Sequence, residues 1–136
     1  MSTTVSYQDV KPVNRYQAIT ADTTLTAADS GKTFLLDAIG EAITLPALAE
    51  GLYFKFLCQV TTATSDWTIV TPGGINKIYG SAQVAGAVVA ASAEDTITLV
   101  VAKFLPGDWV TLECDGTNWY AEASVVTALG LTYTAT

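Results

Sequence analysis

Trp109-Val110-Thr111-Leu112-Glu113-Cys114-Asp115-Gly116-Thr117-Asn118-Trp119-Tyr120-Ala121-Glu122-Ala123-Ser124 reads as a β-hairpin. Apolar Val110, Leu112 and Cys114 alternate with Trp109, Thr111 and Glu113, the period of a half-buried strand. Asp115-Gly116-Thr117-Asn118 supplies a four-residue loop of the kind that joins antiparallel strands. A loop of that length sets Cys114 opposite Trp119 and Leu112 opposite Ala121. Val110, Leu112, Cys114 and Trp119 then share a core face. Glu113, Tyr120 and Glu122 share the other face, toward solvent or a partner.

Working outward, the same grammar covers the chain from Ile19 onward. Short runs of Val, Ile, Thr, Leu and aromatics recur between Gly, Pro, Asp and Asn. The runs predict strands at Thr33–Asp37, Ala42–Leu45, Leu52–Val60, Trp67–Thr71, Lys77–Tyr79, Gln83–Ala90, Thr96–Phe104, Trp109–Cys114 and Trp119–Ser124. Turn signals fall at Asp29-Ser30-Gly31, Pro46, Pro72-Gly73-Gly74, Pro106-Gly107-Asp108 and Asp115-Gly116. The expected fold is all-β, a single-domain antiparallel β-sandwich or barrel over residues 18–136. Residues 1–17 are polar, carry Pro12 and lack a period, so they are expected to form an extended N-terminal arm.

Composition narrows the function. The chain has 136 residues, of which 50% are hydrophobic and only 14% charged, against about 25% charged in ordinary soluble domains. A surface so poor in charge points to self-association, because it implies area hidden against other protein. The Ala82–Ala93 stretch is nearly uncharged and is a candidate self-association surface if exposed. The net charge of -7 repels phosphate and anionic headgroups, which argues against nucleic acid and membrane partners. No apolar run reaches the ~18 residues of a spanning helix, and Met1–Lys11 lacks the pattern of a signal peptide.

The chain contains no histidine. That removes the commonest general base and metal ligand, so no Ser-His-Asp or Cys-His site exists within one chain. Cys58 and Cys114 sit in alternating strands and are expected as buried free thiols. Two separated cysteines do not make a zinc site, and no acid spacing suits calcium. Ser30-Gly31-Lys32-Thr33 ends like a phosphate loop, but Thr26 stands where the motif needs glycine. Glu94-Asp95 would point to opposite faces of a strand, which is unsuited to paired-carboxylate hydrolysis. The expectation is therefore no catalytic residue, no metal and no cofactor. Trp109 and Trp119, with Asp108 and Asp115 nearby, are also candidates for a sugar-binding platform.

Two segments carry a resemblance. One is Leu25-Thr26-Ala27-Ala28-Asp29-Ser30-Gly31-Lys32-Thr33-Phe34-Leu35-Leu36 with Ile43-Thr44-Leu45-Pro46 and Gly51-Leu52-Tyr53-Phe54. The other is Gly107-Asp108-Trp109-Val110-Thr111-Leu112 with Asp115-Gly116-Thr117-Asn118-Trp119-Tyr120. Together they resemble the small β-domains of tailed-bacteriophage virions, most closely capsid decoration (cement) proteins and less closely tail-fibre modules. The resemblance implies a structural virion protein, made in the host cytoplasm, that binds the outer capsid surface and bridges major capsid protein subunits. Closed cyclic self-association goes with this reading, a homotrimer first and a homodimer second. Val10, Pro12, Val13 and Tyr16 in the arm are the expected capsid contacts. The alternative is a tail or fibre module that binds a receptor or glycan through Trp109 and Tyr120.

Overall fold

The computed structural model describes residues 15–61 and 64–135. Among these residues twelve strands form: β1 (Tyr16–Ile19), β2 (Thr23–Thr24), β3 (Thr33–Leu36), β4 (Ala42–Thr44), β5 (Glu50–Cys58), β6 (Trp67–Val70), β7 (Ile78–Val84), β8 (Ala87–Glu94), β9 (Thr96–Leu99), β10 (Trp109–Asp115), β11 (Trp119–Val125) and β12 (Leu131–Thr134). They make an all-β sandwich. One sheet has seven strands in the order β1-β3-β5-β10-β11-β7-β8, and the other has five in the order β12-β9-β6-β4-β2.

The core lies between the sheets. Phe34 stacks on Phe56 and meets Phe54 at a tilt, and Phe54 packs on Trp119 with ring centroids 6.0 Å apart. Trp67, Ile69, Ile97 and Leu99 face them from the five-stranded sheet, all fully buried. Burying a large apolar side chain contributes about 1.5–3 kcal/mol, so this aromatic cluster dominates the cohesion of the sandwich. The Trp67 indole N–H donates to the Asp37 carbonyl at 3.0 Å, whereas Trp119 Nε1 finds no partner. The Trp119 indole is held by packing, without a side-chain hydrogen bond.

The β10–β11 hairpin forms in the register read from its loop, with Leu112 opposite Ala121 and Cys114 opposite Trp119. Strand direction elsewhere departs from the expected antiparallel arrangement. Five of the ten ladders among the described residues are parallel. Four of the five arise because β2, β4 and β6 belong to one sheet and β1, β3 and β5 to the other, so successive strands alternate between layers and run alongside their next-but-one neighbours; the fifth joins β7 to β11. Period-two alternation reports which face is buried and is blind to direction.

Three further differences concern element limits. Tyr16 and Gln17, assigned to the arm, belong to β1, where Tyr16 pairs with Thr33 and Gln17 with Phe34. Gln83–Ala90 is not one strand. Ala85 and Gly86 both have positive φ, 52° and 82°, and form the turn between β7 and β8. The strand predicted over Thr96–Phe104 stops at Leu99.

Asp108 shows how the loops are fastened. It is buried, and its carboxylate accepts the Leu105 N–H at 2.7 Å and the Val126 N–H at 3.3 Å, tying two connections together immediately before β10. Asp29-Ser30-Gly31 is a turn, as expected. Asp29 accepts the Thr26 N–H at 2.9 Å and pairs with Lys32 at 3.0 Å.

Candidate functional site

Two surfaces stand out, on one edge and one face of the seven-stranded sheet. The edge is β8. Its residues Ala87–Ala93 carry no charge, and Val88 is 72% exposed. A sheet edge presents a row of unpaired backbone donors and acceptors, which soluble monomers ordinarily blunt with charge, proline or a covering loop. Beside β8 runs β12, the edge of the opposite sheet. Between them opens an apolar cleft of about 570 Å³, lined by Val84, Ala87, Val89, Leu129, Leu131 and Tyr133 among others. Leu129 sits on its rim, 70% exposed and at a φ of 62°.

The face is the outer surface of the same sheet, built by strand register. One row across the strands reads Leu57, Trp109, Ser124, Gln83 and Val88. The next reads Lys55, Thr111, Glu122, Ser81 and Ala90, and the third Tyr53, Glu113, Tyr120, Tyr79 and Ser92. Alternate residues of β10 and β11 point inward, so Trp109 and Tyr120 face out while Trp119 is fully buried. Two shallow depressions of about 340 and 330 Å³ lie on this face, and Trp109 and Glu122 line both.

The hairpin loop sets the aromatic geometry. The Tyr120 hydroxyl donates to Asp115 Oδ2 at 2.8 Å, and Asp115 Oδ1 accepts the Thr117 and Asn118 N–H groups, each at 2.8 Å. These bonds, led by the Asn118 and Thr117 amides, hold the Asp115 carboxyl below its ordinary value. Lys55 Nζ lies 6.0 Å from the Trp109 ring centroid, a cation–π distance.

The arm residues Val10, Pro12 and Val13 lie outside the described residues. Tyr16 is 61% exposed on β1, at the edge of the sheet opposite β8. Trp119 does not join the sugar-platform candidates, because the register that exposes Tyr120 turns it into the core. Tyr53 and Tyr79, which single-strand reading passed over, join them instead. Their only sequence signal was an outward position on strands whose pairing the sequence does not state.

Cys58 and Cys114 are free and buried. Cys58 lies beside Asp108, whose carbonyl accepts its N–H, at the opposite end of β10 from Cys114. Six residues of strand separate those ends by about 20 Å, far beyond disulfide reach. Burial, and then the Asp108 charge, push the Cys58 thiol up to about 12, which makes it a poor nucleophile. Among the described residues no group of three or more His, Cys, Asp or Glu side chains could hold a metal ion, and no helix is long and apolar enough to cross a membrane. Comparison with family models, curated proteins and solved structures finds no match to this chain.

Proposed function

We propose that the protein is a non-enzymatic structural component of a larger protein shell, joined to copies of itself through the β8 edge. The observation that carries this reading is the uncharged stretch Ala87–Ala93 of the edge strand β8 beside an apolar cleft. Backbone groups on that edge gain partners when another strand adds to it, and the cleft provides apolar area to bury. β1 and β8 occupy opposite edges of one sheet. Head-to-tail contact between the β8 edge of one copy and the β1 side of the next generates a ring, with a homotrimer first; β8 against β8 closes a homodimer.

The resemblance to bacteriophage decoration proteins supports taking the shell to be a virion capsid. In this reading the segment Val10, Pro12, Val13 and Tyr16 contacts the major capsid protein, while the sheet edges serve self-association. A ring gripping several capsid subunits gains avidity on the order of 10²–10⁴ over one contact, and so holds neighbouring subunits together. Cosedimentation with intact virions, followed by electron microscopy, tests this. Density on the shell is the expected result, and density confined to the tail overturns it. Removing residues 1–14, which leaves β1 whole, should abolish capsid binding without unfolding the sandwich. Normal decoration by the truncated protein rules out the arm as the contact.

A further inference from the structure

We infer that the outer face of the seven-stranded sheet is a binding site for a neutral, hydroxyl-rich glycan, with Trp109 as its stacking floor and Glu122 as a shared hydroxyl acceptor. Trp109 stands between two depressions of about 340 and 330 Å³ and lines both. Each is near the lower end of small-ligand pockets, which begin at about 300 Å³. That size suits one sugar unit on either side of the indole. An aromatic face offers flat apolar area to the C–H surface of a pyranose, and an indole does so with few rotatable bonds to freeze.

The polar groups are placed to complete such a contact. Glu122, Thr111 and Ser81 lie in one row of the register, and Glu113 lies beside Tyr120 in the next. Ionised carboxylates accept hydrogen bonds strongly and suit the O–H donors of a sugar. The same two carboxylates repel an anionic ligand, and Lys55, the cation in the central row, lies within cation–π distance of Trp109. A protein partner fits the face poorly, because interface cores are depleted of charge and the row through the middle of this face is polar from Lys55 to Ser81.

The site is also preorganised. Asp115 fixes the Tyr120 hydroxyl at 2.8 Å and is itself held by two loop amides. Ligand binding therefore has little side-chain motion to arrest at that end. Trp109 and Glu113 stand four residues apart on β10, about 13 Å along the strand, so the face accommodates a chain of sugars longer than one unit.

The full-length protein should be screened on an array holding neutral glycans alongside sialylated and uronic-acid glycans, with hits measured by titration calorimetry. Binding to neutral glycans is expected. Trp109→Ala should weaken it about tenfold or more, the effect of removing a central aromatic anchor, and Glu122→Gln should weaken it too, with thermal melts showing both variants folded. Leu129→Lys, on the rim of the apolar cleft beside β8 and outside both depressions, should keep the per-site affinity, which separates this site from the assembly surface. Absence of hits, hits confined to anionic glycans, or unchanged binding in both Trp109→Ala and Glu122→Gln overturns the assignment.

Discussion

The β10–β11 hairpin separates its two faces cleanly. Val110, Leu112, Cys114 and Trp119 go to the core, and Trp109, Glu113, Tyr120 and Glu122 to the outside. The β7–β8 hairpin lies beside it in the same sheet and makes no such separation. Ala82 and Val84 face in, yet Val88 faces out, and no charge interrupts residues 81–93. The first hairpin is central and carries an exposed polar and aromatic outer face over a fully buried inner one. The second is at the edge and keeps apolar character on both sides. Position in the sheet thus separates a strand pair that builds the core from one that leaves an uncharged edge exposed.

The largest test of this contrast is Trp119→Ala. It should cost about 3–5 kcal/mol, seen as a lower urea midpoint, whereas Val88→Ala should stay within about 0.5 kcal/mol. Comparable losses at the two positions would erase the contrast. Next is the seam between the hairpins. Gly80 has a φ of 140°, and a β-carbon there would run into the Ala121 carbonyl on β11. Gly80→Ala should therefore cost about 2 kcal/mol or more through strain and a widened strand gap, measured by the same denaturation. In the edge hairpin the turn is the weak point. Ala85→Asn places a residue tolerant of positive φ before Gly86 and should stabilise by about 0.5–1 kcal/mol, raising the melting temperature.

The smallest effect is local. The Asp115 carboxyl titrates below its ordinary value of 3.8 because the folded loop hydrogen-bonds its ionised form. A lowered folded value means that the stabilisation is complete above the unfolded value and lost as pH falls through the folded one. Below pH ~3.8, the Thr117 and Asn118 amide resonances should therefore shift together, with the rest of β10–β11 unmoved until global acid unfolding. Independent titration of the two amides would show that Asp115 does not organise the loop.

The two hairpins were also unequally legible. Alternation and the Asp-Gly loop specify β10–β11 from sequence, down to the pairing of Cys114 with Trp119. In β7–β8 the turn is Ala85-Gly86, where a sequence reader looks for Asn-Gly or Asp-Gly, and the alanines around it carry little strand preference. A turn was therefore read as strand interior. β1 shows no alternation, with Tyr16, Gln17 and Ala18 all exposed and only Ile19 buried, whereas β12 does alternate, with Leu131 and Tyr133 buried, and went unread. The site divides in the same way. Trp109 and Tyr120 were visible on the legible hairpin. Tyr53 and Tyr79 joined them only through the β5–β10 and β7–β11 ladders, which are non-local pairings that no local pattern encodes.

The parallel ladder between β7 and β11 has a consequence in time. Tyr79 pairs with Tyr120, so β7 leaves the ribosome 41 residues before its inner neighbour exists. At roughly 5–20 residues per second that interval is about 2–8 s. Through it the β7–β8 hairpin has both flanks open and no charge between Ser81 and Ala93. Nascent chains on one polysome meet at high local concentration, so the edge proposed for self-association is on display before any subunit is finished. The pace at which β10 and β11 arrive to close one flank decides whether that early adhesion is productive or tangled.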